Sequence, residues 1–232
     1  MRYHNIVKGR FLSRPNRFIA YVEIEGNPCI AHVKNTGRCK ELLTEGVTVY
    51  LAKAENPDRK TPYDLIAVEK PREGKPPILI NMDSQVVNPA AEEFFRAGNL
   101  FPDATLIRRE VTYGASRFDF YIETPKAPIF LEVKGVTLEQ DGVVSFPDAP
   151  TERGIKHLKE LMTAKENGYD AYVLFVVQME EATLFRPNRE RHAAFADALS
   201  AAHAAGVHIL AYTCRVTGDS IALNAPLPVC LD

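Results

Sequence analysis

The chain has 232 residues, 46% of them hydrophobic and 25% charged, with a formal net charge of −2. This is the composition of an ordinary globular protein with room for one large or two small domains. AYVLFVV (171–177) is too short to cross a membrane as a helix, MRYHNIVKGR lacks an apolar signal stretch, and Cys29, Cys39, Cys214 and Cys230 lack zinc-site spacing.

A cytoplasmic protein with reduced, buried cysteines is therefore expected. Charge is unevenly spread. Residues 1–87 hold 14 Lys and Arg against 10 Asp and Glu, and residues 88–232 hold 14 against 20. Within residues 1–40 the count is 8 basic to 2 acidic, so the two halves are expected to do different jobs.

In chain order, IVKGRFLS (6–13), RFIAYVEI (17–24), PCIAHV (28–33), VTVYLAK (47–53) and YDLIAVEK (63–70) read as short strands. Gly, Pro and Asn separate them, and RCKELL (38–43) is a helical turn among them. Five strands and one turn fit an OB-like barrel, and an SH3-like barrel nearly as well. EGKPP (73–77) closes the region, and the boundary between a first unit (1–85) and a second (86–232) is expected near residue 85.

Beyond it, NPAAEEFFRAGNL (88–100) reads as a helix with Asn88 as N-cap and Gly98 at its end. Strands follow near 106–113, 116–123 and 129–134. A helix over 151–168 starts at Thr151 and stops at Gly168. A buried strand (171–178), a helix (189–205) and a strand (208–216) complete an α/β domain with a mixed sheet. The whole chain is thus expected to be a two-domain α+β protein.

The informative stretch is SRFDFYIETPKAPIFLEVKG (116–135), two strands that carry Asp119, Glu132 and Lys134 among apolar residues. Pairing Glu123 with Pro128 makes partners sum to 251. Phe118, Phe120 and Ile122 then share a face with Val133, Leu131 and Ile129, and Asp119 lies opposite Glu132. Upstream, Gly114-Ala115 suits a two-residue type II′ turn, so partners sum to 229 and Glu110 lies opposite Asp119. Three carboxylates in a row across three strands call for positive charge. Lys134 brings one; a divalent cation, Mg²⁺ or Mn²⁺, suits better, since Mg²⁺ takes one or two carboxylates and bridges to phosphate. The alternative is a solvated sheet face.

Arg153, His157 and Glu160 share one polar face of the 151–168 helix. Gln178 ends the buried strand, where it could point into a cleft, and Glu92 and Glu93 could add carboxylates from the first helix.

HVKNTGRCKELL, SRFDF, LEVKGVTL, FPDAPTERGIKHLKEL and LFVVQ together resemble the sugar fermentation stimulation protein A family. The order of elements around Asp119 and Glu132-Val133-Lys134 resembles the PD-(D/E)xK nuclease superfamily, with Phe118 in place of that motif's proline. The resemblance implies an N-terminal OB-like domain, a C-terminal nuclease-like domain and DNA binding. It also implies that Asp119 and Glu132 bind metal and Lys134 assists the attacking water; Glu110, in the same row of acids, would be an additional or supporting ligand. Phosphodiester hydrolysis is the chemistry such a site supports.

In the first half, Arg2, Lys8, Arg10, Arg14 and Arg17 are interleaved with Tyr3, Phe11, Phe18 and Tyr21, as in OB grooves that hold single strands. The alternative is that the aromatics fill the barrel. Asn35-Thr36-Gly37-Arg38 reads as a turn whose N–H groups could cradle phosphate. Arg10, Arg14, Arg17, Arg38, Arg153 and His157 are thus the expected nucleic-acid contacts. The competing expectation is a non-catalytic DNA-binding regulator of sugar metabolism on a nuclease-derived scaffold.

Overall fold

The computed structural model describes residues 1–35, 37–56 and 58–232. Thr36, within the turn expected to cradle phosphate, lies outside them. Among the described residues no helix is long and apolar enough to cross a membrane.

The first half is built from β1 (Ile6–Asn16), β2 (Ile19–Ile24), β3 (Asn27–Val33), β4 (Thr48–Lys53), β5 (Tyr63–Arg72) and β6 (Lys75–Asn81). They lie in the order β3-β2-β1-β4-β5-β6, antiparallel throughout, and a parallel β3–β5 pairing closes the first five into a ring. Closure removes the sheet's edges and leaves β6 hanging on β5. Phe11, Ala20, Val22, Ala31, Val49, Leu51 and Leu65 fill the interior. This is the OB-like architecture rather than the SH3-like one. Residues 38–43 give a single turn, with Leu43 N–H bonded to the Cys39 carbonyl.

The second half runs α1 (Val87–Arg96), β7 (Leu106–Tyr113), β8 (Ser116–Glu123), β9 (Ile129–Val136), β10 (Leu138–Gln140), β11 (Val143–Phe146) and α2 (Glu152–Glu166). It continues with β12 (Asp170–Val177), β13 (Leu184–Pro187), α3 (Arg189–Ala204), β14 (His208–Thr217) and β15 (Ser220–Leu227). A mixed six-stranded sheet has the order β15-β14-β12-β9-β8-β7, and β10, β11 and β13 form a small second sheet. The central β9, β12 and β14 are parallel. Such strands are covered on both faces, which is why β12 is almost wholly buried. Val87, Ala90, Ala91 and Phe95 of α1 pack on one face against Phe120, Ile122, Leu131 and Val133. Leu158 and Leu161 of α2 and Phe195 and Leu199 of α3 lie on the other, in an apolar cluster that continues into the ring. Thr151 caps α2 by accepting from Gly154 N–H, and Gly168 ends it at φ +87°.

Two local expectations are corrected. Asn88 is no N-cap, because the cap lies two residues earlier, at Val86, and α1 begins at Val87. The cysteines are also not uniformly buried. Desolvation pushes the buried Cys39 and Cys214 thiols up to about 12, while Cys29 and Cys230 are half-buried.

Candidate functional site

The hairpin registers are those read from the sequence. Ile107 pairs with Ile122 and Val111 with Phe118; Phe120 pairs with Leu131 and Ile122 with Ile129. At the acids, however, both ladders fail. The β8–β9 pairing stops at Phe120–Leu131, short of Asp119 and Glu132. The β7–β8 pairing skips Glu110–Asp119, because Glu110 sits at φ +57°, a left-handed conformation rare for a residue with a Cβ.

Across that break the strands turn. Phe118, expected beside Phe120, instead joins Phe130, Tyr113 and His157 on the α2 side, while Phe120 stays against Phe95 of α1. Asp119 fills the gap with its own carboxylate, accepting from Val133 N–H at 2.8 Å and from the Asn88 amide at 2.7 Å. A side chain thus replaces a ladder bond.

Glu132 is buried, at 4% exposure, and faces α2. Its Oε1 accepts from Lys134 Nζ at 2.5 Å and meets His157 Nδ1. Arg153 Nε donates to His157 Nε2 at 3.3 Å. A guanidinium only donates, so Nε2 is the acceptor and the ring proton sits on Nδ1, facing Glu132. Arg153 thereby sets the tautomer that holds Glu132.

The two acids titrate in opposite directions. Burial, then the neighbouring Glu132 charge, pushes the Asp119 carboxyl up. Burial would raise Glu132 too, but bonds from His157 and Lys134 outweigh it and hold Glu132 below its usual range.

Two acceptors at this site are buried and unpartnered: Glu132 Oε2 and Asn88 Oδ1. Such orphans are costly in a native interior. Together with Asp119 they supply oxygen donors suited to a hard divalent cation, two carboxylates being what Mg²⁺ uses alongside water. The residues present fit such an ion. Among the described residues, no group of three or more His, Cys, Asp or Glu converges as a metal cluster.

Glu110 stands outside this arrangement, largely exposed, with Arg117 at 3.5 Å. Glu92 pairs with Arg96 at 2.7 Å and Arg109 at 3.5 Å, and Glu93 meets the terminal amine. Gln178 is buried and donates from Nε2 to Asn81 O, Asn81 Oδ1 and Asp83 O, each at 3.1 Å, so it joins the halves.

In the first half Arg10, Arg17 and Arg38 are exposed, and none of them forms an ion pair among the described residues. Arg14 is different: its guanidinium donates to the carbonyls of Arg17, Asn35 and Arg38 at 2.6–2.8 Å, bracing the turn. Of the aromatics, Phe11 is core, whereas Phe18 is 51% and Tyr21 43% exposed, with the Arg17 guanidinium 5.7 Å from the Phe18 ring. A cleft of about 660 Å³ is lined by Arg14, Arg17, Arg38 and Lys40 with no acid.

Sequence reading missed Asn88 and Lys40. Val86, Val87, Ala90 and Ala91 at helical spacing mark the earlier start of α1 and free Asn88 from capping. Nothing local marks Lys40.

The family model described as the sugar fermentation stimulation protein RE domain matches residues 85–220, and the one described as the SfsA N-terminal OB domain matches residues 12–80. A sugar fermentation stimulation protein homolog from Clostridium beijerinckii is 55% identical over all of both chains. One from Desulfitobacterium hafniense is 56% identical over 95% of this chain and 94% of its own. The solved structure of Pyrococcus furiosus SfsA in complex with Ca²⁺ is similar at a TM-score of 0.85 and 30% identity, over 99% of this chain and 97% of that one.

Proposed function

The chain belongs to the sugar fermentation stimulation protein family, and on that premise we propose that it binds DNA and hydrolyses phosphodiester bonds with Mg²⁺ or Mn²⁺ held by Asp119 and Glu132. The observation that carries the reading is the buried, unpartnered Glu132 Oε2 beside Asp119, with Lys134 on the same carboxylate. The Ca²⁺ of the Pyrococcus furiosus relative is consistent with a hard-cation site in this fold.

Bound there, the cation would activate a water near neutral pH and offset charge on the phosphate. The chain's own groups divide the remaining work. Val133 N–H and Asn88 fix the Asp119 carboxylate. His157 holds Glu132 through Oε1 and so leaves Oε2 for the ion. Lys134 Nζ, held on Glu132 Oε1, would meet charge that develops in the transition state. Arg153 and His157, read from sequence as phosphate contacts, would position Glu132, and the exposed Arg153 would still be free to meet phosphate. Glu110 would have to turn from Arg117 to join as a ligand. DNA affinity is assigned to the first unit, to about residue 85, and to its free arginines. A cytoplasmic setting, with reduced thiols and nucleic acid, belongs to the same reading.

The test is a digestion panel of single-stranded and duplex DNA and RNA with Mg²⁺ or Mn²⁺, comparing wild type with Asp119→Asn and Glu132→Gln. Wild type should cut at least one substrate and both variants none. DNA binding without cleavage on any substrate would favour the non-catalytic regulator.

A further inference from the structure

Arg17, Arg38 and Lys40 are exposed cations that form no ion pair among the described residues, and they line one cleft of about 660 Å³. Elsewhere many surface cations are paired, as Arg96 is with Glu92, Lys165 with Asp170 and Arg189 with Asp197. Like charges gathered around one hollow repel, and no acid in its lining relieves them. An anion would.

The arrangement is held in place. The Arg14 guanidinium donates to the carbonyls of both Arg17 and Arg38, so one side chain fixes the backbones that carry these two cations. Cations on a fixed backbone bind an anion at less ordering cost than mobile ones. Phe11 and Leu43, buried residues of the ring, are the apolar part of the lining. Asn16 adds a directional group. Its Oδ1 accepts from the Phe18 and Ile19 N–H groups at 2.9 and 3.1 Å, which leaves its amide nitrogen to donate. Ala149, from the second half, supplies a wall that takes up little room.

The ligand chemistry follows from size and lining. The volume falls within the roughly 300–1,000 Å³ of small-molecule sites, which combine apolar walls with a few polar groups. Guanidinium groups match phosphate oxygens with paired hydrogen bonds. An apolar lining with one amide donor suits a base and its ring nitrogens or carbonyls. Resting on the nucleic-acid reading above only in assigning Arg17 and Arg38 to phosphate, we propose that this cleft holds a phosphorylated nucleoside. Its phosphate lies on Arg17, Arg38 and Lys40, and its base against Phe11, Leu43 and Asn16. A free nucleotide and the phosphorylated end of a strand both carry that group. Nothing is required of Asp119 or Glu132.

The experiment uses the full chain in chelator, so that binding is read without cleavage. Calorimetry compares AMP with adenosine. Anisotropy compares one short single strand phosphorylated at its 5′ end, at its 3′ end or at neither. Wild type is set beside Arg38→Ala/Lys40→Ala and Ala149→Glu. All three positions are exposed, so both variants should melt with wild type when no ligand is present.

AMP should bind roughly tenfold or more tighter than adenosine, since only AMP brings charge-assisted bonds. It should also raise the wild-type melting temperature by binding the folded chain alone. Each variant should bind about tenfold or more weakly, one by losing donors and the other by placing a carboxylate in the cleft. The strands identify the source. A like preference for a phosphorylated end assigns the site to strand ends, and AMP binding without that preference assigns it to free nucleotides. No preference for AMP over adenosine together with indifference to end phosphates would overturn the site. So would either variant binding like wild type. Salt-dependent strand binding that ignores end phosphates, with no binding of AMP, would leave the nucleic-acid reading standing without this site. AMP binding with no strand binding would do the reverse.

Discussion

At the scale of single residues, Asp119 and Glu132 look alike in sequence but differ in their surroundings. Asp119 holds its proton more tightly folded than unfolded, so stability falls as pH rises from the usual carboxylate value through its raised one. Its ionised form is a standing cost at neutral pH. Glu132 holds its proton less tightly, so its contribution is present above the ordinary glutamate pKa and is lost as pH falls through its lowered one. In chelator at pH 7, Asp119→Asn should therefore be neutral or stabilising. Glu132→Gln should cost about 1–3 kcal/mol, because Lys134 and His157 lose a charged acceptor. Thermal melts separate the two, and a Glu132→Gln protein that melts with wild type contradicts the pairing. Lys134 is tied to the reaction rather than to affinity. Lys134→Ala should leave DNA binding within a few-fold and slow cleavage by roughly a hundred-fold or more. Lys134→Arg should not rescue it, since a planar guanidinium cannot stand in for a compact ammonium. That the acids face one another was legible, because a buried face fixes register. Their opposite titration was not, since it depends on α2 delivering His157 from 25 residues away.

At the scale of elements, the registers of β7, β8 and β9 and the caps of α2 were legible because burial and capping are local codes. Five strands were not. β10, β11 and β13 have three or four residues, too few for a period. β6 and β15 contain prolines, which argue against a central strand, and both indeed lie at sheet edges. The break at Asp119 was hidden for a different reason: pairing sums assume an unbroken ladder, and Glu110 at positive φ interrupts it without shifting register. Gln178 shows how elements of the two halves are joined. Its amide nitrogen serves two backbone carbonyls and the Asn81 side chain, all buried. Gln178→Ala should cost about 1–3 kcal/mol by removing those three bonds, with Asn81 Oδ1 keeping only the Asp83 N–H. Urea unfolding checks this, and an unchanged midpoint would mean the junction is held by apolar packing alone.

At the scale of the whole molecule, the basic excess of the first half and the acidic excess of the second correspond to a free cationic cleft and a buried carboxylate pair. Sequence counts gave the sign of each half but not which cations are free, because Arg14 and Arg17 look equivalent until one of them braces a turn. Replacing Arg10, Arg17 and Arg38 with alanine should flatten the salt dependence of nucleic-acid binding by roughly 2–3 units, at 0.7–0.9 per contact. Arg14→Ala should instead lower stability. Anisotropy titrations across a salt series test this, and a triple variant with the wild-type slope would move the binding surface elsewhere. The central claim is that this chain cuts phosphodiester bonds at Asp119, Glu132 and Lys134. Single-turnover cleavage, with wild type, Asp119→Asn and Lys134→Ala purified in parallel, tests it most directly. Wild type should show divalent-dependent cleavage, Lys134→Ala a rate lower by roughly a hundred-fold or more, and Asp119→Asn partial rescue by high Mn²⁺. Equal residual cleavage in all three, or no cleavage of any substrate by wild type, would contradict it.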